Sequence, residues 1–160
     1  MATTNNREHL SLGDRIGDTI GLIGPVIALG FFFLHQQRNT GFFTAEFGLV
    51  AQVALYGPIF LSIIPPVIRV LSGSRNWARP FDAVSNFSLG VGSYYLLRIF
   101  PFDYSHLADV LPGGFRFLLA WVTDPIARIA LTIMVVVALI SAFAITIKFF
   151  AVLTRKLAEA

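Results

Sequence analysis

Two prolines stand inside apolar stretches where their chemistry matters. Pro25 lies five residues into the run that starts at Ile20, and Pro58 lies six residues before Ile64. Proline has no N–H and cannot bond the carbonyl four residues back, so each frees an oxygen, that of Gly21 and that of Ala54. In hydrocarbon such oxygens need a partner. Asn86 and Ser141 fall at a similar depth on two other apolar segments. Gly21, Pro25, Ala54, Pro58, Asn86 and Ser141 would together form a polar layer about 7–9 Å inside one membrane boundary at helical rise. Two chemistries fit. Freed carbonyls and a carboxamide suit a hydrated site for an ion or a small polar solute. Small and hydroxyl-bearing residues equally let helices approach and hydrogen-bond one another. Packing is the reading adopted, because the pattern puts no charged residue at mid-membrane.

Carboxylates supply the second kind of chemistry. Asp18, Glu46, Asp82 and Asp124 fall at or just inside the starts of apolar segments, where the positive end of the helix dipole favours them. Capping accounts for all four without a transport role. Asp18 is the least comfortable, flanked by Ile16 and Ile20, and there a proton or cation site competes with a cap or an Arg15 partner. Gln52 is expected to bond a neighbouring helix. His35 and His106 share one face of the expected topology, but two histidines without a third ligand make no metal or heme site. HExxH, GxSxG and GxxxxGK[ST] are all missing and the chain has no cysteine, so neither hydrolysis, nucleotide binding nor thiol chemistry has a handle. The sequence reads as a non-enzyme without cofactor or metal.

Gly13, Gly17 and Gly21 recur every four residues, with Gly24 three later. They make a smooth stripe up the first helix, suited to close packing and possible contact between subunits.

Four elements must position these residues. Residues 129–147 contain no charge and Lys148 follows at once; nineteen residues of helix nearly cover the ~30 Å hydrocarbon core of a bilayer. Three further apolar segments precede this one. Hydrophobic residues make up 56% of the 160 and the mean hydropathy is +0.73, above the roughly 45–50% apolar usage of soluble domains. The expected fold is therefore all-α, a polytopic four-transmembrane-helix bundle forming one membrane domain over 1–160, with spans near 16–34, 46–64, 82–97 and 126–147. The first apolar stretch ends in HQQRNTG, not in a small-residue cleavage site, and is expected to be a span rather than a cleaved signal. Pro65–Pro66 should end the second span, leaving VIRVLSGSRNWARP as a basic, Trp-containing loop at headgroup level. FRFLLAW in the third loop should be a short interfacial helix. Asp124–Pro125 reads as N-cap and first position of the last span.

Eight basic residues fall on the face shared by the N-terminal arm, the second loop and the tail, and four on the other. Positive-inside places both termini in the cytoplasm, with the cell membrane as the expected location. A net charge of +3 without an aromatic-interleaved basic run argues against nucleic acid. The expected partners are the lipid bilayer and either a second copy or another membrane protein. The function expected first is that of a non-catalytic subunit, scaffold or assembly component. An oligomeric channel or carrier is the alternative.

Overall fold

The computed structural model describes residues 11–73 and 75–158. The polar arm, with Arg7 and His9, lies outside the described residues, as does the side chain of Arg15. The described chain is all-α: α1 (Leu12–Gly21), α2 (Ile23–Arg38), α3 (Leu49–Leu61), α4 (Ile64–Ser72), α5 (Arg75–Ile99) and α6 (Asp124–Ala158), with 3-10 turns at Tyr104–His106 and Gly113–Leu118. Among the described residues the only extended pairing is an isolated bridge between Phe43 and Phe102.

Among the described residues three stretches are long and apolar enough to cross a membrane: Leu12–Arg38, Leu49–Ser72 and Asp124–Thr154. The first two are kinked pairs. Ser11 opens α1 with a reciprocal cap, its hydroxyl accepting from the Asp14 N–H at 3.1 Å while the Asp14 carboxylate accepts from the Ser11 N–H. At Leu22 the backbone stays right-handed helical, φ −70° and ψ −24°. The break falls there because Pro25 has no N–H for the Gly21 carbonyl. α3 gives way to α4 at Ser62–Ile63, as Pro65 and Pro66 can donate nothing to Leu61 and Ser62.

Each element is longer than the sequence reading has it, although the second begins three residues later than expected. The first span runs from Leu12 to Arg38 rather than over 16–34, and the second from Leu49 to Ser72 rather than over 46–64. Pro65–Pro66 bends the second span without ending it, since proline is tolerated in the first turn of a new helix. VIRVLS is helical and stops at Gly73 in the left-handed region, φ 65°. The Trp77 segment is the first turn of α5, which covers Arg75–Ile99 rather than 82–97. The last helix covers Asp124–Ala158 rather than 126–147. The expected interfacial helix is replaced by the two 3-10 turns; Gly113 and Gly114 open the second of them, and glycine weakens a regular α-helix.

α5 lies between α3 on one side and α6 on the other, and two glycines set both distances. A methyl group on Gly92 would strike the Ala54 carbonyl oxygen and come 3.0 Å from the Pro58 ring. One on Gly90 would lie 2.7 Å from Leu139 Cδ2 of α6. Ala138 and Ala142 of α6 and Ser85 and Ser93 of α5 are buried in the same contacts, the small-residue packing used by membrane helices.

The densest packing sits at the end holding the α2–α3 and α5–α6 connections. Phe42 is fully buried there, joined by Phe47, Phe100, Phe102 and Leu107. Ring centroids about Phe42 stand 4.8–6.0 Å from it, within the range of favourable aromatic pairs, and Phe43 stacks on Phe47 at 3.8 Å.

Candidate functional site

The opposite end, where α1 and α5 begin and α4 ends, carries a charged cleft of about 530 Å³. α1 brings Gly13, Asp14, Gly17 and Asp18; α4 brings Arg69; α5 brings Arg75, Arg79 and Asp82; α6 brings Ile145 and Lys148. Helical spacing explains the gathering, since Asp14 and Asp18 are one turn apart, as are Arg75, Arg79 and Asp82 in succession.

Arg69 is the centre of the cleft floor. Its Nε donates to Asp18 Oδ1 at 2.9 Å, and its Nη1 donates to both oxygens of Asp82 at 2.9 and 2.8 Å. All three side chains are about four-fifths buried. One guanidinium thus ties α1, α4 and α5 together, the planar fork geometry that lysine does not offer. Nearer the surface, Arg75 Nη2 donates to Asp14 Oδ1 at 2.9 Å, a half-exposed pair worth little by itself.

This arrangement revises the account of the acids. Asp18 stands inside α1 and Asp82 seven residues into α5, both paired with Arg69 and neither capping a helix. Glu46 precedes α3, whose N-cap is Gly48 with no side-chain cap bond. Asp124 is the first residue of α6 rather than its N-cap, and its Oδ1 accepts from the Tyr104 N–H at 3.0 Å. The Asp18–Arg69 pair spans fifty-one positions, so helix-local spacing carried no signal of it. Its one visible precursor was the uncharged run preceding Arg69, which Pro65–Pro66 disguised as a loop.

The expected polar layer is not gathered into one place. Ala54 and Pro58 lie against Gly92, which covers the freed carbonyl. Asn86 turns back along its own helix, Nδ2 donating to the Asp82 carbonyl oxygen at 2.8 Å. Gly21 and Pro25 belong to the α1–α2 bend, and among the helices α2 touches only α1 and α3. Ser141 is half-buried on α6. In the glycine row, Gly13 and Gly17 border the cleft, whereas a methyl on Gly17, Gly21 or Gly24 would meet no atom within 4 Å. Ile16, Ile20, Ile23 and Ile27, more than half exposed, run beside the row.

His35 and His106 both lie at the aromatic end, each held by partners of its own. His35, buried, has Nε2 3.1 Å from the Leu107 carbonyl oxygen and Nδ1 2.6 Å from Thr40 Oγ1. A carbonyl can only accept, so Nε2 carries the proton and Nδ1 accepts from the Thr40 hydroxyl. His106 pairs with Asp109 at 2.8 Å, and its ring lies under Gly41, where φ is +90° and a Cβ would sit 3.1 Å from Cδ2. The Asp109 carboxyl is held below its ordinary range, first by that His106 hydrogen bond and then by the charges of Arg116 and His106. Burial pushes the Tyr104 phenol up to about 12, aided by the Asp124 charge. Among the described residues no three of His, Cys, Asp and Glu gather in a way that could hold a metal ion. Gln52 lines a small pocket beside His35, and the bond joining α2 to α3 is made instead by Tyr56, whose hydroxyl donates to Gln36 Oε1 at 2.9 Å.

Comparison with protein-family models, with curated proteins and with solved structures gives no match to this chain.

Proposed function

We propose that the chain is an integral protein of the cell membrane with four spans and both termini in the cytoplasm, working without catalysis as a subunit, scaffold or assembly component. α5 serves as the fourth span in this reading: its 25 residues reach about 37 Å, and its lower hydropathy is offset by burial between α3 and α6. Orientation rests on the basic residues of the cleft end, which positive-inside assigns to the cytoplasm.

The observation that carries the scaffold reading is the unfilled α1–α2 face. Gly21 and Gly24 have open space beside them, the neighbouring isoleucines are exposed, and among the described residues no Cα of α2 comes within 8 Å of one in α5 or α6. The polar groups of the expected layer, meanwhile, are spent on the chain itself, through Gly92 over Ala54 and Asn86 on Asp82. A flat, small-residue helix face in lipid is suited to another helix. The test is the mass of the detergent-solubilised particle by light scattering and native mass spectrometry. Gly21→Leu, whose Cβ would stand in open space, should release a partner or dissociate a homo-oligomer. A wild-type chain that is monomeric and partnerless in detergent and in nanodiscs alike defeats the reading.

The charged cleft favours a second reading, a channel or carrier for an ion or small polar solute. It requires flux in liposomes that Asn86→Leu abolishes while leaving the particle mass unchanged.

A further inference from the structure

Gln52 is a carboxamide without a partner in an apolar helix. It is the fourth residue of α3, inside a stretch apolar enough to cross a membrane, where an unpaired amide is costly. Among the described residues its side chain makes no hydrogen bond, and neither do those of Asn39 and Thr44. All three line a cavity of about 180 Å³ beside His35 and Gln36. Gln52 and Tyr56 are one turn apart on α3 and so share a face. Tyr56 donates to Gln36 Oε1 at 2.9 Å, which brings the two carboxamides together and leaves the Gln36 N–H groups to the cavity. Asn39 and Thr44 are exposed, so the cavity opens at their side.

The lining decides what fits. It holds no Asp, Glu, Lys or Arg, and His35 has both ring nitrogens engaged, with Leu107 and Thr40. A charged ligand would enter without a counter-charge, so the ligand is neutral. The groups left over are amides and a hydroxyl, which donate and accept side by side. Ligand hydroxyls do both through one atom, whereas a group that only donates or only accepts leaves half of the lining unpaired. Phe43 and Phe47 form an apolar side that a carbon skeleton covers and water does not. The volume is about six times the ~30 Å³ share of one water, room for one edge of a sugar ring. The first apolar stretch ends at Arg38 and the second starts at Leu49, so in a bilayer the cavity stands at headgroup level.

We propose that this cavity binds a neutral vicinal diol, the chemistry shared by glycolipid headgroups and free sugars. Gln52 and Gln36 hold adjacent hydroxyls, Phe43 and Phe47 lie against the carbons, and Asn39 and Thr44 bond the hydroxyls at the open side. The lipid source rests on the membrane reading proposed above; the diol site does not.

The experiment is saturation-transfer NMR on the full chain in amine-oxide micelles, which carry no sugar, with methyl glucoside as the probe. Transfer should saturate with probe concentration and be lost for 2-methoxytetrahydropyran, the same ring without hydroxyls. Gln52→Leu removes the amide and keeps a good helix former; it should weaken binding about tenfold. Thr44→Val, at the exposed rim, should weaken it about threefold, and Gln37→Leu, outside the cavity, should leave it unchanged. Unchanged helical content by circular dichroism establishes that each variant is folded, and Thr44→Val carries the test if Gln52→Leu does not fold. Transfer that never saturates, equal transfer to the ring without hydroxyls, or undiminished binding by folded Gln52→Leu overturns the site and leaves the cavity to water. Glucosyl diacylglycerol added to the micelles should displace the probe at a lower concentration than free glucose does. Displacement at no lower concentration overturns the lipid source and leaves a soluble sugar as the ligand.

Discussion

Arg69 is the residue whose loss the structure predicts to be felt most. Arg69→Gln leaves Asp18 and Asp82 facing each other with no cation between them. Removing one partner from a fully buried pair costs about 3–5 kcal/mol, and the one-fifth exposure here reduces that to about 1–3 kcal/mol, read as a lowered thermal midpoint in detergent. Adding Asp18→Asn and Asp82→Asn to Arg69→Gln should recover most of it, because the penalty lies in the orphaned charges. Tyr104 offers a pH-dependent check at the other end. Its phenol is pushed up from 10 to about 12 by burial, so the stability it contributes is fully present below pH 10 and is lost as pH rises from there through about 12. Ultraviolet titration should show its ionisation absent at pH 10.5 in wild type. Neither feature was legible in the chain: Arg69 stood behind two prolines that resemble a stop, and nothing in FDYSH says which aromatic is covered.

At the scale of elements, apolar runs announced where helices would be and helical class followed from them, but the prolines were misleading: Pro58 lies inside an unbroken α3, and Pro65–Pro66, expected to end a span, opens its continuation. The ends did not follow, for a common reason. α1, α4 and α5 run past their apolar segments into residues that are polar yet ion-paired across helices, as Asp14 with Arg75 and Arg69 with Asp82, and hydropathy counts those as loop. The glycines were read at half their value as well. The regular row on α1 drew notice, while Gly90 and Gly92, two apart and so facing different neighbours, carry the packing of α5. Gly92→Ala should force α3 and α5 apart at the Ala54 carbonyl and cost about 1–3 kcal/mol, the range for overpacking. Gly90→Ala should cost less, because Leu139 can change rotamer and a backbone carbonyl cannot. Gly24→Ala, in open space at a helical position, should be neutral or slightly stabilising. Ranking the three by thermal midpoint tests the arrangement directly.

For the molecule as a whole, the two ends are built from different forces. One is a plug of packed rings around Phe42; the other is a set of ion pairs around an open cleft. Salt screens exposed charges over about 10 Å at 0.1 M and about 3 Å at 1 M, while apolar burial is not weakened by it. Ionic strength therefore acts on the ion pairs that hold the helices at one end and not on the ring packing around Phe42 at the other. With α2 anchored at His35 and Gln36 and the chain bent at Leu22, α1 is a lever whose fulcrum is the Pro25 bend and whose free arm is latched electrostatically. Hydrogen exchange at 1 M salt should quicken in the amides of α1 and leave those near Phe42 unchanged, so the molecule should open like a clothes-peg, from one side only.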